Sequence, residues 1–494
     1  MTFVVIYYKK YYYTILKNLK KNSNFFNYYS KSYSYLDSFI YSLKILQFIK
    51  KNNLRHKIIL TFSNKSFEMY SSIFPILISG NTWVPLSINL PLDKIKNILQ
   101  QINPDLCIHD NCNPEIIRFL KKKIRCLKFK DIKINSNIKV SVINEIKNLD
   151  INSTAFIYFT SGSTGDPKGI RVSHRNIISD VFEQKKYLYK NNIKNLIFGD
   201  YYDTAFSIFF DIFFPALYFR STISPSLTKS DNFYLLDHYK KNNINTLVAV
   251  PSTFGRIMEI LNKSKKKLSG NNLIITGEPF YLNFLEFLYK KTKFKQIFNC
   301  YGGTEMGNWV FYHQCSKQDL IKYKKYNLVP IGKPFGSVSA KVKKNQLIVS
   351  GPMITQGYVN KDLNKNKFIF RKENIFFTGD KVKKINSIYI CKGRSDKMVK
   401  INGYRIEIPD VEANFRKLEY IKDAIVFEKK SKDYKNYLIA IISLVKPKSD
   451  NQIRKDLQSF LSLYMIPRKI YILNSLPKNS NGKLDRAGMI KKYN

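Results

Sequence analysis

The hydrophobic positions change period several times along the chain, and each change predicts an element. Apolar residues recur at helical spacing across Ser32–Asn52. The short apolar run Lys57–Ser63 predicts a strand, followed by a helix over about 67–78. "STAFIYF", Ser153–Phe159, is β-branched and aromatic and predicts a buried strand. Strands and helices alternate in this way to about residue 300, the pattern of an α/β domain of layered sheets and helices with a largely parallel sheet. From about 330 to 395 the segments shorten and become strand-rich. From about 396 a small α+β unit is expected, with a helix near Asp410–Leu418, a strand near Tyr437–Leu444 and a helix near Ile453–Leu463. The first 35 residues or so are rich in aromatics and lysine and show no clear period, and no internal repeat is evident.

Composition changes this picture little. A length of 494 residues leaves room for two or three domains and a large core, and the hydrophobic fraction of 44% is ordinary. No apolar run approaches membrane-spanning length, and Phe3–Tyr8 is too short for a signal segment, so a soluble cytoplasmic protein is expected. Six scattered cysteines form no CxxC pair, which argues against a zinc knuckle or disulfide scaffold. The net charge of +47 invites a nucleic-acid or membrane partner, but the lysines run through the whole length. Lys, Asn, Ile, Tyr and Phe are abundant together, as AT-rich codons dictate, so base composition accounts for the charge and neither nucleic acid nor membrane is expected as a partner. Arginine is scarce, and a kept arginine points to a need for its bidentate fork. Arg394, Arg405 and Arg486 all fall in the motifs below.

"YFTSGSTGDPKGI", Tyr158–Ile170, places Thr160, Ser161, Gly162, Ser163, Thr164, Gly165 and Lys168 directly after the predicted strand. Glycines let the backbone approach a ligand, successive N–H groups cradle an anion, and the hydroxyls and the lysine add donors. The spacing is not that of the P-loop of nucleotide triphosphatases. "NCYGGTEMGNW", Asn299–Trp309, sets glycines beside an aromatic, a hydroxyl and a carboxylate able to hold Mg²⁺. "FFTGDKV" puts Asp380 after a glycine turn, where it could accept hydrogen bonds from ribose hydroxyls. "KGRSDKMVKINGYRIEIPDVE", Lys392–Glu412, starts with a Gly-Arg pair, and "LPKNSNGKLDR", Leu476–Arg486, carries Lys483 in a glycine-containing loop. His174, just past the first loop, reads as a structural residue at a helix start.

In this order, with "GNTWVPLSINLP" (Gly80–Pro91) ahead of them, the motifs resemble those of the adenylate-forming superfamily, across about residues 30 to 488. The wording of the last two is nearest to the amino-acid-adenylating branch, which includes D-alanyl carrier-protein ligases. The resemblance implies a large N-terminal α/β domain (1–395) and a small, mobile α+β C-terminal domain (396–494). It implies ATP and Mg²⁺ as cofactors and two steps: a carboxylate attacks the α-phosphate of ATP, then a thiol attacks the acyl-adenylate. Lys483 would contact the forming adenylate. Thr160 through Lys168 would hold the leaving phosphates. Asn299, Cys300, Tyr301, Gly302, Gly303 and Thr304 would line the adenine and α-phosphate, with Tyr301 stacking on the base. Glu305 would bind Mg²⁺, Asp380 the ribose with Arg394 beside it, and Asp396 would be the hinge. Gly403 would serve the thioester step. Arg405 reads either as a functional group or as a surface ion-pair partner.

The segment that anchors the α-ammonium in amino-acid-activating relatives departs from their pattern in "GDYYDTAFSIFFDIFFPAL", Gly199–Leu217. Local wording puts Asp203 at the anchor; distance to the downstream segment puts Phe206 there. An aspartate implies an amino acid; a phenylalanine implies an acyl or aryl acid. The segments Val248–Ile257 and Ile275–Phe280, with Gly277, are expected to supply other pocket walls. No carrier domain follows Arg486, so a phosphopantetheinyl carrier protein in trans, or coenzyme A, is the expected acceptor. The leading function is an ATP-dependent amino-acid ligase that loads a carrier; an acyl- or aryl-CoA ligase and a non-enzymatic basic binding protein are the alternatives.

Overall fold

A computed structural model describes the chain except residues 1, 30, 111, 134–137, 161–166, 191–193, 228–234, 253, 255–256, 258–259, 262–266, 395–397, 431–435, 478–483 and 494. The alternating first part folds into two sheets. One has nine strands, with its core Leu268–Thr276, Thr246–Ala249, Ile197–Asp200 and Thr222–Pro225 all parallel and antiparallel pairs at both edges. The other has six strands and is parallel apart from its last pair, Thr154–Thr160 with Lys168–Ser173. Helices cover these sheets, as parallel connections require. The strand-rich part builds a five-stranded antiparallel sheet from Ser339–Lys343, Gln346–Ser350, Phe368–Ile369, Ile375–Ile385 and Ile388–Arg394.

The smaller C-terminal domain has its own core. Ile401 and Ile406 of the hairpin Met398–Ile401/Tyr404–Glu407 pack with Val411, Phe415, Val426 and Ile442. Two of its helices run Ile408–Phe415 and Asp450–Leu457, each a few residues from the expected position. Pro409 near the helix start and the Ser449 cap set where they begin. Arg486 from the tail motif grips Glu412 with both nitrogens, at 2.6 and 2.7 Å, and so ties the end of the chain to this domain.

The N-terminus differs from expectation. Residues Thr2–Leu19 form a helix and Asn24–Tyr28 a strand at the margin of the nine-stranded sheet. Tyr12, Ile15, Leu16 and Leu19 are buried at i, i+3, i+4 and i+7, a helical stripe masked by the tyrosines around it. His174 opens the helix His174–Tyr187 behind the Ser173 cap, as a structural residue would. It is fully buried against the Tyr12 hydroxyl, and burial holds its ring down to about 3, so it stays neutral. No helix among the described residues is long and apolar enough to cross a membrane.

Candidate active site

One cavity lies between the two domains. The strand before the hydroxyl-rich loop and the strand after it pair so that Thr160 faces Lys168, which clamps the two loop ends together. Thr160 lines the cavity. Burial and the nearby Arg405 lower the Lys168 ammonium, while Glu407 and Glu305 oppose that shift, so the lysine sits among these groups. Ser161, Gly162, Ser163, Thr164 and Gly165 lie outside the described residues, as do Asp396 and Lys483.

The strand Thr292–Gly303 delivers the next wall. A Cβ on Gly302 would lie 1.5 Å from the Asn308 carbonyl, so only glycine fits where the chain turns back. Gly302, Gly303, Thr304 and Glu305 line the cavity. The earlier residues of the same motif point elsewhere. Asn299 is buried and its amide donates to the Val329 and Pro330 carbonyls at 3.3 and 2.8 Å, and Cys300 is buried in the core. The Tyr301 ring packs edge-on against Phe311, and its hydroxyl donates to the Asp380 carboxylate. Asp380 also accepts from Arg394 at 3.0 Å, its partner across the strand pair. Tyr301, Asp380 and Arg394 are therefore one hydrogen-bonded unit, with the acid and the arginine on the cavity wall.

The hairpin of the C-terminal domain closes the mouth. The Gly403 N–H donates to Glu278 at 2.7 Å, and a Cβ there would approach Val250 to 2.8 Å and Phe206 to 3.3 Å. Arg405 is no surface ion-pair partner. Its guanidinium bonds the Glu305 carboxylate and, at 3.0 Å, Glu407, with Tyr358 donating to Glu305 at 2.8 Å. Burial alone would raise the Glu305 carboxyl, but Arg405 and these hydrogen bonds hold it down at about 2. Sequence reading missed this pairing because the two residues lie 100 positions apart.

Both candidates for the substrate anchor reach the same cavity. Asp203 accepts from Ser87 Oγ at 2.5 Å and from the Ala205 N–H at 2.9 Å, a turn cap ahead of the helix Ile208–Phe219. Phe206 packs against Tyr404 of the hairpin at 5.0 Å. Gly277, at φ 83°, forms another wall. Asp211 and Asn308 also line the cavity, and neither was singled out from the sequence.

The AMP-binding enzyme profile matches residues 20–359. The chain belongs to the AMP-binding enzyme family. The profile of the AMP-binding enzyme C-terminal domain matches residues 410–483. A D-alanine--D-alanyl carrier protein ligase of Staphylococcus aureus (strain JH9) is 27% identical over 460 residues, covering 89% of this chain and 90% of that one. Among solved structures, the adenylation domain AlmE of Vibrio cholerae in complex with glycyl-adenosine-5'-phosphate superposes with a TM-score of 0.83 at 18% identity, covering 98% of this chain and 97% of the other. A double mutant of o-succinylbenzoate CoA synthetase from Bacillus subtilis, bound with a product analogue, gives 0.81 at 17% identity, covering 97% and 98%. The α/β architecture with a large first and small second domain is thus that of the adenylate-forming enzymes.

In this AMP-binding enzyme the donors suit a nucleotide with its cation. Among the described residues no cluster of three or more His, Cys, Asp or Glu could cage a metal. Mg²⁺ does not need one, since it takes one or two protein oxygens and completes its shell with phosphates and water. The buried, ionised Glu305 carboxylate beside the Thr304 hydroxyl is such a donor set.

Proposed function

We propose that this AMP-binding enzyme is an ATP-dependent ligase that activates an amino acid as its acyl-adenylate and passes the acyl group to the phosphopantetheine thiol of a separate carrier protein. The observation that carries this reading is the shared cavity. Thr160, the turn from Gly302 to Glu305 and the Asp380–Arg394 pair all meet there, under a hairpin of the smaller domain. The carrier-protein ligase name of the staphylococcal relative favours an amino acid and a carrier thiol.

In this scheme Asp380 and Arg394 hold the ribose, and Thr160 through Lys168 hold the departing pyrophosphate. Thr304 and Glu305 hold Mg²⁺, which when bound neutralises charge on the phosphate oxygens. Lys483 stabilises the charge that builds at the α-phosphate as the substrate carboxylate attacks it. The smaller domain, taken as 396–494, then turns about Asp396. That motion withdraws Lys483 and presents the Gly403 hairpin, along which the thiol reaches the adenylate. The domain arrangement observed, with Gly403 on Glu278 and Arg405 on Glu305, suits this second step.

ATP–pyrophosphate exchange over a panel of amino acids and their unaminated counterparts tests the first step. Lys483→Ala is expected to reduce exchange roughly 100- to 1,000-fold while leaving transfer from supplied acyl-adenylate to a holo-carrier largely intact. Equal loss of both half-reactions would overturn the rotating-domain scheme. Exchange confined to fatty or aryl acids, with coenzyme A as acceptor, would move the assignment to an acyl- or aryl-CoA ligase. The ring of Phe206 in the cavity is the feature that favours that second reading.

A further inference from the structure

A second acidic centre lies deeper on the same cavity. Ser207, Ile208 and Asp211 line it from one face of the helix that follows Phe206, at the i, i+1, i+4 spacing of a helical stripe. Asp211 is 1% exposed, and behind it Asp180 is fully buried. Gln184 links them, its Nε2 donating to Asp180 at 2.7 Å and reaching Asp211 at 3.4 Å. Among the described residues neither aspartate has a lysine, arginine or histidine as ion-pair partner. Burial pushes both carboxyls well up, helped at Asp211 by the charge of Asp180 and at Asp180 by that of Glu183.

The surrounding polar atoms are left incomplete. Asp180 Oδ1, Gln184 Oε1, Tyr158 Oη and Tyr189 Oη are buried without a hydrogen-bond partner among the described residues. Asn308, 95% buried on the same cavity, lies within reach of Asp211, and its amide opposes the rise of that carboxyl. It is also held at φ 87°, a left-handed conformation that costs energy and recurs at ligand sites. A buried polar atom of this kind costs free energy when nothing fills the gap. The open acceptors here are the Asp180, Gln184 and tyrosine oxygens, which suit a compact group with several donors, and an ammonium, with three N–H donors, has that chemistry. Asp203 differs: it is only half-buried, and each of its oxygens already accepts one hydrogen bond, from Ser87 and from the Ala205 N–H.

We infer that Asp211, flanked by Asn308 and backed by Asp180 through Gln184, receives the ammonium group of the acid that this enzyme activates. The inference rests on the amino-acid reading above and assigns the recognition to a residue other than Asp203 or Phe206. An α-ammonium and a distal one share this chemistry, and the position of the amine in the best substrate tells them apart.

Pyrophosphate exchange is measured with glycine, alanine, β-alanine, γ-aminobutyrate and lysine, each against the same acid without its amine. The wild type is expected to prefer one aminated acid. Asp211→Asn is expected to lower kcat/KM for it on the order of 10- to 100-fold, mostly through KM, the loss of a charge-assisted hydrogen bond. The unaminated counterpart should change less than about threefold, within the range of a lost neutral contact. Retained preference in Asp211→Asn, or its loss in Asp203→Asn instead, overturns the inference and leaves the amino-acid reading standing. A wild type that exchanges only unaminated acids overturns that reading itself. Folding is checked by the melting shift with ATP and Mg²⁺; if Asp211→Asn does not fold, Asn308→Ala carries the same test, with retained preference again overturning the inference.

Discussion

Glu305 and Asp211 are both buried acids on one cavity, and the protein treats them oppositely. Glu305 meets an arginine from another domain and a tyrosine hydroxyl, which hold its carboxyl at about 2. Asp211 meets a second aspartate and amides, and its carboxyl is pushed well up. An acid neutralised from within the protein can serve a step in which that neutralising group moves. An acid left without a cation is a standing cost, and it is sensible only where a ligand removes it. One carboxylate is compensated by the fold and the other is reserved for substrate.

The contrast can be broken at several points. The largest effect is expected from Arg405→Ala, which takes from the buried Glu305 its ion-pair partner. Loss of one partner of a buried pair costs about 3 kcal/mol. It should appear as faster hydrogen exchange of the hairpin amides over 398–407; unchanged protection would remove the compensated half of the comparison. Asp211→Asn should act in the other direction and stabilise the substrate-free protein at pH 7. Its carboxyl is raised in the folded state, so its contribution is present below the ordinary value of 3.8 and is lost as pH rises. Each unit of that rise is worth about 1.4 kcal/mol. Denaturant titrations at pH 5 and 7 read the gain, and a destabilised variant would contradict it. Glu305 has the opposite slope: its contribution is present above 4.5 and is lost only as pH falls toward about 2.

Gly403→Ala sharpens the comparison at the hairpin. At φ 78° and 2.8 Å from Val250, the added methyl should cost about 1–2 kcal/mol of docking. Thiol transfer should slow more than pyrophosphate exchange, and equal slowing of both would argue against a hairpin role in one step alone. The smallest signal is a proton. An ammonium bound to Asp211 should expel the proton the acid holds, so the heat of amino-acid binding should depend on the buffer's ionisation enthalpy in wild type and not in Asp211→Asn.

The sequence by itself determined the fold class, the alternation of strands and helices, and the motifs that line the cavity. Those features are local: a glycine where a Cβ would meet the Asn308 carbonyl, or an aspartate placed opposite Arg394 by strand pairing, is written in neighbouring residues. The helix over Thr2–Leu19 was written there too, but its apolar stripe is built of tyrosine and hidden among others. Only the tertiary structure decided that Asn299 and Cys300 turn into the sheet while Gly302 to Glu305 turn to the cavity, that Arg405 lies on Glu305, and that Asp180 stands behind Asp211. A carboxylate's charge state depends on which groups surround it in space. Those groups arrive from helices, strands and a second domain far apart in the chain, so no local pattern of residues can announce them.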